Sequence, residues 1–108
     1  MEKVSFNDFK KVDIRVAEIV EAKEHPNADK LVVLKIKVGD EEKQIVAGIK
    51  AFYGLEQLRG KKIIVVNNLE PAQLRGETSE GMLLAVRGND GLGLLTVDKD
   101  MPSGAVVS

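Results

Sequence analysis

The sequence predicts a mainly all-β domain: a five-stranded barrel with short helices and a C-terminal β extension. Three observations carry that expectation. Five short stretches are rich in β-branched and apolar residues: Val12–Ala22, Leu31–Val38, Gln44–Ile49, Lys61–Asn68 and Met82–Val86. The first of them changes the phase of its alternation partway, the mark of a strand that bends or bulges. A stretch of helical spacing falls between the third and the fourth. The chain has 108 residues and is 44% hydrophobic, enough for one core and one domain over 1–108. It has no cysteine and a single histidine, so no disulfide framework, thiolate site or histidine cluster is available. No N-terminal apolar run marks a signal peptide or a membrane span, and a cytoplasmic location is expected.

Ser5-Phe6-Asn7-Asp8 reads as a helix start, with Ser5 as cap. Phe6 and Phe9 share a face and are expected to cover one end of the core. In the first strand Val12, Ile14 and Val16 alternate with Asp13 and Arg15, and the phase shifts over Ala17–Val20. Small barrels use such a strand in both halves of the sheet. His25–Lys30 is a turn, with Pro26 in a favoured turn position and His25 expected to hydrogen-bond locally. Leu31–Val38 and Gln44–Ile49 form a hairpin joined by the charged segment Gly39–Lys43. Lys35 and Lys37 share one face of it, as a solvated row or an extension of a phosphate-binding surface.

Ala51, Phe52, Leu55 and Leu58 recur at helical spacing before Gly60. This helix is expected to plug the barrel, with Phe52 in the core. The unbroken run Ile63–Val66 suits a strand covered on both faces. Five strands, a helix between the third and fourth and a bent first strand describe an oligonucleotide/oligosaccharide-binding (OB) fold. The barrel spans about 12–87. Beyond it lie Leu92, Leu94, Leu95, Val97 and Met101–Val107. Apolar material there packs either on its own barrel or on a second molecule, and composition favours neither.

The polar connection from Asn67 to Gly81 organises the functional reading. Pro71, Gly76 and Gly81 shape it, and Asn67, Asn68, Gln73, Arg75, Thr78 and Ser79 offer donors suited to phosphate and ribose. Glu70, Glu77 and Glu80 share the loop and would repel a nearby phosphate. Net charge is −1. The first 87 residues carry 15 basic and 14 acidic side chains, so a phosphate-binding surface has to be a local patch. Aromatics are only 4%, which favours reading of shape, ribose and backbone over base identity. No Ser/His/Asp arrangement, metal-ligand spacing or nucleotide loop is present, so no catalytic residue, metal or cofactor is expected.

Five segments together carry a family resemblance: Asp13-x-Arg15-Val16, His25–Leu31, Ala47-Gly48-Ile49, Asn68-Leu69-x-Pro71 and Arg75-Gly76-x-x-Ser79-x-Gly81-Met82. In order and spacing they resemble the tRNA-binding domain at the C-terminus (β subunit) of methionyl-tRNA synthetases. The same domain occurs in stand-alone tRNA-binding proteins, endothelial-monocyte-activating polypeptides and CsaA export chaperones. The resemblance covers nearly the whole chain. It implies structure-specific tRNA binding that raises the tRNA affinity of a methionyl-tRNA synthetase. On that reading the chain is a non-catalytic part of methionine–tRNA ligase, with tRNA, the catalytic part of the synthetase and a second copy of itself as partners. The family's binding positions fall on Lys30, Asn68, Arg75, Ser79 and Met82. Asn67 is carried over with them, although its place at a strand end allows it to face inward. The implied homodimer would use the extension 88–108. The alternative within the same barrel is a CsaA-like peptide-binding export chaperone.

Overall fold

A computed structural model describes residues 1–108. Its centre is a curled five-stranded antiparallel sheet, an OB-like half-barrel. The strands are β1 (Ile14–Glu24), β2 (Val32–Val38), β3 (Glu41–Ala47), β4 (Lys62–Val66) and, after an intervening hairpin, β7 (Met82–Leu83). They stand in the order β3-β2-β1-β4-β7. The bent first strand is present. Its first half, Ile14–Glu18, pairs with β4, and its second half, Glu18–Glu24, pairs with β2. Between Ile19 and Glu21 the register slips at Val20. One extra residue turns the strand, so a single element serves both halves of the sheet. Ala17 and Ile19 on one side of the slip and Ala22 on the other all face the core.

The β2–β3 hairpin turns through Gly39-Asp40 alone, since Glu41 pairs with Val38. The charged segment 41–43 is therefore strand, not the longer loop expected from composition. Lys37 stands opposite Glu18 on one neighbour and Glu42 on the other, and Lys35 Nζ lies 3.8 Å from Glu21. This arrangement matches a solvated charged face.

Two expectations about aromatic residues fail for the same reason. Helix α1 (Phe6–Lys10) starts where Ser5 predicts, and Ser5 Oγ accepts from the Asp8 N–H at 3.1 Å. It buries none of its residues, and Phe6 is 71% exposed. Helix α2 contracts to Leu55–Leu58, and Phe52 sits in the preceding turn, 38% exposed. The strands already fill the interior, and Leu58, fully buried, closes the open end. No space is left for three more rings. Tyr53 is half-buried against the core, and its hydroxyl accepts from the Leu94 N–H at 3.0 Å.

The expected fifth strand breaks at Leu84. β8 (Ala85–Arg87) leaves the sheet to pair with β9 (Leu92–Leu94). Leu92 and Leu94 pack on the core cluster, so the barrel does use this part of the extension. The tail then folds back along the half of β1 that β2 has left. The Val16 N–H donates to Ala105 O at 2.9 Å, and Gly104 N–H and Val107 N–H donate to Val16 O and Ile14 O. Gly104 (φ +91) lies on Gly39, and a Cβ there would meet the Gly39 Cα at 2.8 Å. No helix is long and apolar enough to cross a membrane.

Gly81 gives a direct test of this architecture. Its φ is +148°, and an added Cβ would lie 2.9 Å from Val66 O, a backbone atom that cannot swing aside. Gly81→Ala is expected to cost about 2 kcal/mol or more in denaturant unfolding. Gly93→Ala, with nothing within 4 Å, is expected to stay within about 0.5 kcal/mol of the parent.

Candidate nucleic-acid interface

An OB fold binds its ligands on the face of strands 2 and 3 and on the loops that follow strands 1 and 4. Here those loops are the His25–Lys30 turn and the segment 67–81. The second is not an irregular loop. It contains a hairpin of β5 (Ala72–Leu74) and β6 (Glu77–Ser79) turning through Arg75-Gly76. Both turn residues have positive φ, +58° and +94°. Two-residue hairpins with that geometry favour Asn and Gly, and a left-handed arginine costs roughly 1–2 kcal/mol. The turn itself gives no reason for Arg75. Its side chain is exposed and makes no hydrogen bond or ion pair.

His25 joins the two loops. Its ring is buried, with Nε2 2.8 Å from Leu74 O on the hairpin and Nδ1 accepting from the Asn27 N–H at 2.9 Å. A neutral ring protonated on Nε2 satisfies both contacts. The local hydrogen bond expected for His25 is present, and the longer one to Leu74 is added to it. In consequence the turn carrying Lys30 and the turn carrying Arg75 lie side by side, with Asn27 beside Gly76. Lys30, like Arg75, is exposed and unpaired.

The other positions named from sequence are placed differently. Ser79 is buried, and its Oγ accepts from the Val46 N–H at 3.0 Å and donates to Gly81 O at 2.8 Å. Asn67 faces inward. Its Oδ1 accepts from Lys43 Nζ at 2.8 Å, and its Nδ2 donates to Asp13 Oδ2 at 3.1 Å. Asn68 is exposed, yet its amide bridges Asp13 N–H and Lys11 O at 2.8 and 2.6 Å. The Met82 side chain is half-buried against the core. Of the three loop carboxylates, Glu77 accepts from the Gln44 side chain and Glu80 from the Gln44 N–H. Both are thereby tied to Gln44 of β3.

Sequence reading missed a network that holds this region in place. Asp13 Oδ1 accepts from Arg15 Nε at 2.7 Å, and Arg15 Nη1 donates to Gly104 O at 3.1 Å. Asp13 and Asn67 thus connect β1, β4, Lys43 of β3 and the tail. The Arg15 guanidinium first, and the Asn67 amide second, hold the Asp13 carboxyl below its ordinary value. The only trace in the sequence is the Asp13-x-Arg15 pair.

The tRNA binding domain family matches residues 14–106, and the chain belongs to that family. The methionine–tRNA ligase of Pyrococcus horikoshii is 50% identical over 99% of this chain, which spans 15% of that ligase. Among solved structures, a MetRS related protein from Pyrococcus horikoshii superposes with a TM-score of 0.92 at 36% identity, covering both chains in full. The CsaA chaperone of Picrophilus torridus gives 0.90 at 38% identity, over 98% of this chain and all of that one.

The lowered Asp13 pKa sets a pH dependence. Its folded value lies below the unfolded one, so the stabilisation is complete above about pH 4 and is lost as pH falls through the folded value. Asp13→Asn is expected to be less stable near neutrality but to lose less stability on acidification. Urea unfolding at a series of pH values checks this, and parallel curves for the two proteins would remove Asp13 from the acid response.

Proposed function

We propose that this chain binds folded tRNA as a non-catalytic module of, or partner to, a methionyl-tRNA synthetase, and raises that enzyme's affinity for tRNA. One observation carries the reading beyond family membership. An arginine occupies a left-handed turn position that favours other residues and stands free in solvent, on a hairpin that a buried histidine ties to the turn ending in the exposed Lys30. An exposed guanidinium and an exposed ammonium on neighbouring turns suit phosphates of an RNA backbone. Backbone contact combined with few aromatics favours recognition of folded shape over base identity.

In this reading the six positions divide by task. Lys30 and Arg75 contact RNA, with Asn68 at the border of the same surface. Asn67, Ser79 and Met82 act by holding the hairpin in place. Placed beside a synthetase, the module keeps tRNA near the catalytic part and lowers the apparent Michaelis constant through effective concentration. The setting is the cytoplasm.

A second copy of the chain is proposed as a further partner. Phe6, Phe9, Val12, Val106 and Val107 are all exposed, and they meet in one apolar groove where α1 and the tail lie together. The extension thus folds on its own barrel and still presents apolar side chains outward. Val106→Asp together with Phe9→Asp is expected to give a monomer by light scattering with the thermal midpoint of the fold kept. A dimer that persists rejects this face. The peptide-chaperone reading is favoured by the likeness to CsaA and by the same groove. Binding of unfolded peptide, undiminished by saturating tRNA, would select it.

Arg75→Asn separates function from fold. The substitution suits the turn, so stability is expected to hold or rise by up to about 1 kcal/mol. Affinity for folded tRNA is expected to fall, with the slope of log affinity against log salt reduced by about 1. Undiminished tRNA affinity would reject Arg75 as a phosphate contact. Ser79→Ala is expected to do the reverse, costing about 1–3 kcal/mol of stability by leaving the Val46 N–H unpaired.

A further inference from the structure

We propose that Phe52 and Arg87 form a platform that receives one unpaired base of the bound RNA. The inference rests on the tRNA-binding reading and deepens it. Phe52 is 38% exposed and is not among the residues that pack on the core. The Arg87 guanidinium lies over its ring, 5.5 Å from the centroid. Its neighbour Tyr53 is already used, with its hydroxyl taken by the Leu94 N–H and Lys61 Nζ 5.9 Å from its ring centroid. Phe52 is therefore a part-exposed aromatic ring whose one cation partner is Arg87 and which the core does not use.

Its position fits the RNA surface. The segment between β3 and α2 is tied to the His25–Lys30 turn, because the Lys50 N–H donates to Lys30 O at 3.5 Å. That turn is tied in its turn to the Arg75 hairpin through His25. Hydrogen bonds and chain continuity thus link the Arg75 hairpin, through the His25–Lys30 turn and Lys50, to Phe52 and the Arg87 that lies over it. Glu24, at the end of β1, is engaged by Lys50 at 2.9 Å. The other exposed phenylalanines, Phe6 and Phe9, line the groove of the two termini instead.

An aromatic ring beside a guanidinium suits a nucleotide. The ring stacks on a base of any identity, and the guanidinium stacks with it or meets its phosphate. Paired stems keep their bases stacked internally, so the platform selects an RNA with an accessible unpaired base.

The test uses the full chain and folded tRNA. Phe52→Ala is expected to weaken binding about five- to tenfold with an unchanged salt slope, since no phosphate contact is lost. Phe52→Trp is expected to bind like the parent, with its emission quenched by tRNA and unaffected by a fully paired RNA duplex. Parental affinity of Phe52→Ala, an unquenched Phe52→Trp at saturating tRNA, or equal quenching by the duplex would overturn the platform. Arg75→Asn keeps the two readings apart: if it weakens tRNA binding while Phe52→Ala does not, only the platform fails. If the parent protein does not bind tRNA, the underlying reading fails first.

Discussion

The seam between β3 and β7 is the constraint on which the rest of the structure depends. No strand ladder closes it. Separate hydrogen bonds do so instead: the Glu80 N–H donates to Gln44 O at 2.8 Å, Glu80 Oε1 accepts from the Gln44 N–H, and Ser79 Oγ accepts from the Val46 N–H. These satisfy edge groups of β3 that a half-barrel would otherwise leave open. Gly81 makes the approach possible, because its bare Cα sits against Val66 O and Ile45. The segment that closes the fold is therefore the segment that carries Arg75. The proposed RNA contact and the closure share one stretch of chain, and each restricts what the other can change.

That sharing explains why polar residues of the segment divide so sharply. Most are spent on internal contacts: Ser79 on the seam, Asn67 on Lys43 and Asp13, Asn68 on the backbone at 11–13. A buried polar group without a partner is costly, so Ser79 in particular has little freedom to serve a ligand. Gln44 removes a further obstacle by drawing Glu77 and Glu80 toward the sheet. Lys30 and Arg75, exposed and unpaired on the two linked turns, are the cations proposed to meet RNA on a chain whose net charge is −1. His25 converts two separate turns into one surface, a geometric task that a neutral imidazole fulfils with one nitrogen for each loop.

The two ends of the chain meet on the far side of the same network. Arg15 binds Asp13 on one side and Gly104 on the other, so the Asp13–Asn67 contact also steadies the tail. The tail covers β1 at 14–16, where β2 has ended at Val38 and left the edge free. The bend that allows β1 to serve both halves of the sheet thus requires the C-terminal segment to complete it. Phe6, Phe9, Val106 and Val107 are left outward because the interior is already full.

Taken alone, the sequence determined the barrel. Runs of β-branched and apolar residues marked four of the strands, the phase shift over Ala17–Val20 announced the bend, and Ser5 placed the first helix. These are local signals, written in the period of side chains along the chain. The sequence also marked Arg75 and Lys30 as candidate contacts, through residue type and family resemblance. Tertiary structure alone decided which polar residues were free to act. Nothing local distinguishes Ser79, whose partner is Val46, from Thr78, nor Asn67 from an exposed strand-end amide. Their partners lie 24 to 54 residues away for Asn67 and 33 for Ser79. The place of Phe52 was settled the same way. Helical spacing put it in the core, but packing volume is a property of the whole interior, and Leu58 had already filled it.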